Sequence, residues 1–295
     1  MSASAYLTPQ TIAECLAMLA EFKGQARLIA GGTDLMPGLK SGKYRPQALI
    51  DTSCIEGFGR LELNGQEAVI GAGATHAGVS GHQKLAGLLP ALAQACGSIG
   101  SPQIRNVATL AGNVVNAQPA ADAAVALVAL NAAAEIASPA GLRREPVEDL
   151  YAGLGRSRVN PAAEALTAFF IPRPRAGQAC AYGRISPRNA LCLPIVNAAV
   201  FLESRSGKIT AARLILGPVA ERPFRPREAE ERLVNADIDD QEAFAQAALA
   251  AARASSPRDS CLRGCADYRR QLIRILAGRV MAQAASRLRP GQGGI

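Results

Sequence analysis

The sequence predicts an α+β protein with an N-terminal α/β region and a C-terminal α+β domain, from the order of its hydrophobic patterns. Helix-type and strand-type segments alternate over residues 1–56, whereas strands precede helices over residues 176–290. The Pro-Arg-Pro-Arg stretch that begins at Pro172 indicates a linker. We therefore expect one region at residues 1–174, divided into subdomains of about 1–56 and 57–174, followed by a domain at 176–290 with a small antiparallel sheet.

The first subdomain is predicted to contain one helix and two strands. Thr8 offers an N-cap hydroxyl, Pro9 suits the first helical position, and Gly24 ends the helix. Residues 27–30 and 48–51 have apolar strand patterns, and a short helical turn is expected between them.

A β-hairpin is predicted to open the second subdomain, because residues 61–63 and 68–70 flank an Asn-Gly turn. The Gly71-x-Gly73 pair that follows resembles part of a dinucleotide fingerprint. Its spacing is G-x-G-x-x-x-x-G, the third small residue is missing, and no clear βαβ unit continues from it. We therefore exclude a Rossmann site there.

The remaining elements follow from the same patterns. In the second subdomain we expect helices at residues 90–96 and from 122 to 130, and a strand at 164–171. In the C-terminal domain we expect strands at 181–185, 196–203 and 209–216, and helices at 228–234, 241–253 and 267 to about 288. A Ser-Gly-Lys turn joins the last two strands as a hairpin.

The composition is typical of a globular protein, with 49% apolar and 19% charged residues. The net charge of +8 does not indicate nucleic-acid binding, since the arginines are scattered and lack interleaved aromatic residues. A basic rim near an anionic cofactor or an acidic partner explains the charge better. No secretory signal is visible, and the alanine-rich stretch 120–137 contains Asp122, Asn131 and Glu135, which disfavours a membrane span. We expect a cytoplasmic protein.

Metal and nucleophile chemistry find little support in the sequence. The seven cysteines are widely spaced, and the pair Cys261 and Cys265 has no second pair or histidine beside it, so reduced thiols are expected. The two histidines, His76 and His82, lack a nucleophile motif or a metal-ligand motif. We expect His76 at a strand-to-helix junction with its ring hydrogen-bonded locally. No catalytic residue and no metal ligand are predicted.

Two glycine turns that each follow an apolar run carry the functional signal. In residues 28–35 a short strand runs into Gly31 and Gly32, and residues 107–113 repeat this character. Such turns permit positive φ and can direct successive N–H groups at an anion. We therefore expect a diphosphate held between two loops. Asp122 either complements the dipole of its helix or accepts a hydrogen bond from a ribityl or ribose hydroxyl.

Five stretches in order resemble one known family. They are A-G-G-T-D-L at 30–35, P-Q-I-R-N-x-A-T-L-A-G-N at 102–113, Q-P-x-x-D at 118–122, A-Y-G-R-x-x-P-R at 181–188 and Y-R-R at 268–270. Together they resemble the FAD-binding (medium) subunits of molybdenum hydroxylases, the xanthine dehydrogenase and carbon monoxide dehydrogenase flavoprotein family. The resemblance implies a vanillyl-alcohol-oxidase (PCMH) type fold, with two α/β subdomains that clamp FAD and a CO dehydrogenase flavoprotein C-terminal-like domain.

The resemblance also implies the residues that hold FAD. Asp122 matches a carboxylate near the FAD sugar chain, Ile99 and Leu166 match apolar positions lining the flavin or adenine slot, and Arg184 matches a cation near the isoalloxazine pyrimidine edge. The hydroxyls of Thr33 and Thr109 add contacts to the FAD pyrophosphate. The pyrophosphate cradle is the backbone of Leu28, Ile29, Ala30, Gly31, Gly32, Thr33, Asp34 and Leu35, and of Thr109, Leu110, Ala111, Gly112 and Asn113.

Three positions depart from the family pattern. Arg184 stands where lysine is usual; it keeps the positive charge, but its planar fork differs in reach. Ala111 replaces a glycine and therefore requires negative φ at that position. Gln118 stands where serine is frequent, which we expect to be tolerated.

By the same resemblance, the chain is an electron-transfer subunit. Hydroxylation takes place at molybdopterin in a large partner, electrons pass through two [2Fe–2S] clusters in a small partner, and FAD passes them to a final acceptor. The implied assembly is a dimer of heterotrimers. NAD⁺, quinone, ferredoxin and oxygen stay open as acceptors. A stand-alone flavin oxidase of the same fold and a flavin-free assembly protein are the alternatives.

Overall fold

The first subdomain is a three-stranded parallel sheet with its helices in the connections. The computed structural model describes residues 5–289, so the outer ends of the predicted regions, residues 1–4 and 290, lie outside the described part of the chain. The strand order is β1-β3-β2. The elements are β1 (Ala5–Leu7), α1 (Ile12–Glu21), β2 (Ala26–Ile29), α2 (Leu35–Lys40), β3 (Ala48–Asp51) and a 3₁₀ turn (Thr52–Cys54).

Helix α1 begins later than the sequence suggested. Thr11, not Thr8, is the N-cap, and its hydroxyl accepts from the Glu14 N–H at 3.2 Å. The Glu14 carboxylate in turn accepts from the Gln10 N–H at 2.8 Å. This reciprocal capping satisfies two N–H groups at the helix start, which a cap at Thr8 could not do. Cys15 and Leu19 then bury one face of the helix.

The second subdomain contains a five-stranded antiparallel sheet in the order β4-β5-β10-β6-β7. The predicted Asn-Gly hairpin and the strand expected at 164–171 are both present in it. Its strands are β4 (Leu61–Leu63), β5 (Glu67–Gly71), β6 (Ala133–Ser138), β7 (Gly141–Pro146) and β10 (Ala165–Pro172), and a separate two-stranded ribbon is formed by β8 (Tyr151–Gly153) and β9 (Arg156–Ser157). Its helices are α3 (His76–Gly81), α4 (Gln83–Leu88), α5 (Pro90–Gly97), α6 (Pro102–Val107), α7 (Leu110–Val115) and α8 (Asp122–Ala129), with a 3₁₀ turn at Val147–Leu150.

Sequence patterns missed β1, the hairpin of β6 and β7, the ribbon of β8 and β9, and the short helices α4, α6 and α7. Strand β1 is only three residues long, and β6 reads Ala-Ala-Glu-Ile-Ala-Ser, which is poor in β-branched and aromatic residues. Pairing with β10 places Ile136 in the core in spite of this weak propensity. Tertiary pairing therefore decided the conformation of this segment.

The Gly71–Gly73 turn has a packing role and does not form a dinucleotide site, in agreement with the sequence analysis. Strand β5 lies in an antiparallel sheet, so no βαβ unit exists around it. A Cβ on Gly71 would lie 2.3 Å from the carbonyl oxygen of Phe58, and the Gly73 N–H donates to that same oxygen at 2.7 Å. Glycine is needed there because two backbone segments touch.

The C-terminal domain places a three-stranded antiparallel sheet, in the order β11-β12-β13, between two layers of helices. The Ser-Gly turn between the last two strands is confirmed, and both of its residues have positive φ. The elements are β11 (Gln178–Ile185), β12 (Val196–Arg205), β13 (Lys208–Gly217), α9 (Arg227–Leu233), α10 (Gln241–Ala254) and α11 (Ala266–Ser286).

One hydrophobic core crosses the boundary between the two regions. Cys180 and Tyr182 point from β11 into the core of the N-terminal region, whereas the intervening Ala181 joins the core under α10 and α11. This alternation is the period-two geometry of a strand buried on both faces. Helices α5 and α8 cover the inner face of the sheet.

The alanine-rich stretch 120–137 is divided between α8 and β6. Every residue of α8 is buried, which the small side chains allow because neighbouring backbones can then approach closely. Over the described residues, no helix combines the length and the hydropathy that a membrane crossing requires.

Candidate functional site

The first glycine loop leaves β2 and presents unpaired backbone donors. Gly32 has φ of +67°, which an L side chain rarely adopts. The N–H groups of Gly31, Gly32, Thr33 and Asp34 donate no hydrogen bond to any described residue. Four successive donors without a partner are the backbone arrangement that an anion can satisfy.

The second glycine loop is the start of α7, held in place by its neighbours. The Thr109 hydroxyl caps the helix by accepting from the Gly112 N–H at 3.1 Å. The Leu110 N–H donates to Ala74 O at 2.9 Å. The N–H groups of Thr109 and Ala111 find no acceptor among the described residues. Ala111 has negative φ, as its substitution for glycine requires.

The two loops touch through their backbones. A Cβ on Gly31 would lie 1.9 Å from the carbonyl oxygen of Val107 and 2.9 Å from Cα of Ala108. Only glycine can occupy this position without moving one loop away from the other. The unpaired donors of both loops therefore flank a single space.

That space is a cavity of about 1850 Å³, well above the roughly 300–1,000 Å³ of ordinary small-molecule sites. Its size and its unpaired N–H groups fit a dinucleotide with a diphosphate. Leu110 is fully buried in the core and Arg184 stands behind the wall, so neither lines the cavity. The predicted residues that do line it are Leu28, Ile29, Ala30, Gly31, Gly32, Thr33, Asp34, Leu35, Ile99, Thr109, Ala111, Gly112, Asn113, Asp122 and Leu166.

Asp122 is the centre of a buried polar network that joins the two regions. Its Oδ1 accepts from the Tyr182 hydroxyl and from Asn197 Nδ2, the latter at 2.8 Å, and its Oδ2 accepts from Arg184 Nη1 at 3.0 Å. Arg184 also donates to Ser98 O and to Cys192 O, each at 2.7 Å. Both carboxylate oxygens thus accept hydrogen bonds from the C-terminal domain. Asp122 also lies in the first turn of α8, where its charge complements the helix dipole as the sequence indicated.

Burial dominates the electrostatics of this network. It raises the pKa of the Asp122 carboxyl, against the opposing effects of Arg184, Tyr182 and Asn197. Burial, together with the charge of Asp122, raises the pKa of the Tyr182 hydroxyl well above its ordinary value. Tyr182 therefore stays protonated and donates to the carboxylate.

Two members of the network were missed from the sequence. Tyr182 lies two residues before Arg184 in the same strand, so the period-two rule places both side chains on one face. That signal was available. Asn197 pairs with Arg184 across β11 and β12, and no local pattern predicts such a register.

His76 occupies the expected strand-to-helix junction, but its ring is not hydrogen-bonded as expected. The backbone N–H donates to Ala108 O at 3.0 Å, whereas Nδ1 has no partner among the described residues. Burial, with a smaller effect of Arg105, lowers the pKa of His76 to about 4. The neutral ring lines the cavity beside the second loop. Over residues 5–289, no group of histidine, cysteine or acidic side chains is arranged to hold a metal ion.

Comparisons with known proteins agree with this geometry. Residues 2–174 match the family model of the FAD binding domain in molybdopterin dehydrogenase, and residues 181–284 match the CO dehydrogenase flavoprotein C-terminal domain. The carbon monoxide dehydrogenase medium chain of Afipia carboxidovorans is 32% identical over 282 residues, 96% of each chain. The xanthine dehydrogenase FAD-binding subunit of Escherichia coli O157:H7 is 30% identical over 287 residues, again 96% of each.

Solved structures give the same result. A chain of the Cu,Mo-CO dehydrogenase in its cyanide-inactivated form superposes with a TM-score of 0.90 at 31% identity, covering 97% of this chain and 100% of that one. A chain of quinoline 2-oxidoreductase from Pseudomonas putida 86 superposes with a TM-score of 0.89 at 27% identity, covering 96% and 97%.

Proposed function

The chain belongs to the family of FAD-binding medium subunits of molybdenum hydroxylases, and we propose that it is the electron-carrying subunit of such an enzyme. In this proposal it receives electrons from [2Fe–2S] clusters in a small partner subunit and delivers them to a final acceptor. The organic substrate, a heterocycle or an aldehyde, is hydroxylated in a large molybdopterin-binding subunit. A dimer of heterotrimers is the proposed assembly.

One observation carries the proposal: two glycine loops in backbone contact present unpaired N–H groups to a single cavity. We propose that residues 28–35 and 109–113 hold the diphosphate of FAD through these groups. When bound, FAD supplies the redox chemistry. The chain itself then needs to bind and orient the cofactor, and no side chain is required as an acid or a base.

The side chains around the loops complete the proposed site. Ile99 and Leu166 supply apolar walls to the cavity. Arg184 supplies positive charge from behind Asp122 and Cys192, both of which line the cavity. Because Asp122 forms an ion pair with Arg184, we propose that the carboxylate sets the position and the net charge of this cation, in addition to its proposed place near the sugar chain.

Mixing experiments test the electron-transfer role. The FAD-loaded chain is mixed with the reduced [2Fe–2S] subunit that is proposed as its partner, and loss of flavin absorbance near 450 nm is followed by stopped flow. We expect flavin bleaching that saturates with partner concentration. A Gly32→Asp chain, folded but without flavin, is the control. If the flavin stays oxidised while the partner binds, the proposed role is wrong.

A further inference from the structure

Three arginines line the same cavity from the side of the C-terminal domain. Arg258 and Arg263 lie in the segment between α10 and α11, and Arg269 lies near the start of α11. Ser256 and Glu221 also line the cavity. The residues proposed to hold FAD do not include any of these side chains.

Arg269 is held rigidly and yet lacks a counter-ion. It is 3% exposed, and its guanidinium donates to Arg258 O at 2.7 Å, to Ile195 O at 3.4 Å and to Pro218 O. Its buried Nε has no hydrogen-bond partner within the described chain. A buried donor without an acceptor on a charged group is costly, and no carboxylate among the described residues offsets that cost.

Arg258 and Arg263 add positive charge that no carboxylate among the described residues neutralises. Arg258 and Arg263 donate no side-chain hydrogen bond to residues 5–289, and none of the three arginines forms an ion pair with a carboxylate in that part of the chain. Burial and the charge of Arg258 lower the pKa of Arg263, and burial with both neighbours lowers the pKa of Arg269. All three line one cavity without a carboxylate partner, so their positive charges repel one another.

Arg143 shows what a structural arginine looks like in this protein. It forms ion pairs with Glu164 at 2.6 Å and with Glu145 at 2.7 Å, and these partners raise its pKa. The pKa values of Arg263 and Arg269 are lowered instead, first by burial and then by the neighbouring cations. An anion placed among them would remove the repulsion.

We propose that Arg258, Arg263 and Arg269, none of which has a carboxylate partner among residues 5–289, form a phosphate-binding subsite of the cavity. Guanidinium groups match the tetrahedral oxyanion through paired N–H donors. A concave position inside a cavity favours a small phosphate-bearing molecule over the flat surface of an acidic protein. The phosphate belongs either to FAD itself or to a second soluble molecule, and the test separates these sources. This proposal rests on the proposed function in one respect, which is that the subsite and the proposed flavin site share one cavity.

Calorimetric titration of the full chain with inorganic pyrophosphate tests the subsite. The FAD-loaded and the FAD-free forms are both titrated, for the wild type and for Arg258→Gln and Arg263→Gln, while Arg269 is left intact because it holds the surrounding backbone. Arg274→Gln removes a charge from an exposed position of α11 that does not line the cavity, and it is the matched control. Thermal unfolding and flavin content are recorded for every variant.

The expected result is a loss of pyrophosphate affinity of about tenfold for each substitution in the subsite, since a charge-assisted contact is removed, and no change for the control. Dependence on these arginines in the FAD-loaded chain identifies a second phosphate-bearing ligand. Dependence only in the FAD-free chain, with weaker FAD binding in the variants, identifies FAD as its source. Equal affinities of wild type and both variants in both forms, or no pyrophosphate binding, overturn the subsite even where flavin content is normal. Failure of the wild-type chain to accept electrons from its partner is a separate result that contradicts only the proposed function.

Discussion

The two glycine loops reach similar chemistry by different structural routes. The first is irregular backbone in which Gly31 is required by contact with Val107 and Gly32 by its positive φ of +67°. The second is a capped helix start in which Thr109 holds the backbone and Ala111 is accepted. Both leave N–H groups unpaired toward the cavity. The comparison shows that the first loop depends on glycine itself, whereas the second depends on its cap and its neighbours.

The largest effect is expected for Gly31→Ala. The new methyl group would lie 1.9 Å from Val107 O, so the two loops must separate. We expect a loss of about 3 kcal/mol or more in the free energy of unfolding, together with loss of FAD binding. Gly112→Ala is the matched control, because its Cβ would meet only Thr109 Oγ1 at 3.1 Å and its φ is negative. Urea unfolding and flavin titration measure both; similar losses for the two variants would contradict the asymmetry.

Acid should lower the folding stability of the protein through His76, which lies beside the second loop. Its folded pKa of about 4 lies below the ordinary value of about 6.5, so the unfolded chain binds a proton that the folded chain resists. Stability present above pH 6.5 is therefore lost as pH falls toward 4, by up to about 3 kcal/mol. His76→Leu should flatten this part of the profile of unfolding free energy against pH. Parallel profiles for the two proteins would show that His76 does not titrate in this range.

Substitution of Gly32 separates strain from charge. Gly32→Ala forces an L side chain to positive φ and should cost about 1–2 kcal/mol, with reduced FAD affinity. Gly32→Asp should cost a similar amount of folding stability and should abolish flavin binding, because it adds a negative charge to the loop that is proposed to hold the phosphates. Absorbance at 450 nm after gel filtration measures flavin content, and circular dichroism checks the fold. A yellow Gly32→Asp protein would contradict the first loop as the diphosphate site.

The smallest effect concerns the threonine of each loop. Thr109→Ala removes the N-cap of α7 and should cost about 1 kcal/mol without ligand, while Thr109→Ser should restore most of it. Thr33→Ala should leave the FAD-free stability unchanged, since the Thr33 hydroxyl bonds to no described residue. It should weaken only FAD binding. Equal destabilisation of the FAD-free protein by both alanine variants would contradict the distinction between a structural cap and a ligand contact.

Local sequence determined much of this molecule. Strands β2 to β5 and β10 to β13 and most of the helices follow from hydrophobic periods and turn residues, as do both glycine loops. The resemblance of five ordered motifs was sufficient to identify the family and its cofactor, which the comparisons confirm. Alanine-rich β6 was missed because its propensity opposes its pairing.

Only the tertiary structure decided which distant segments meet. It brings Gly31 against Val107, it joins Asp122 to Arg184 and Asn197, and it collects the arginines around Arg269. Hydrophobic periodicity shows which face of a helix or strand is buried. It carries no information about which remote backbone or charge packs against that face. The requirement for glycine at 31, the burial that raises the pKa of the Asp122 carboxyl and the unneutralised arginine cluster all arise from the packing of remote segments.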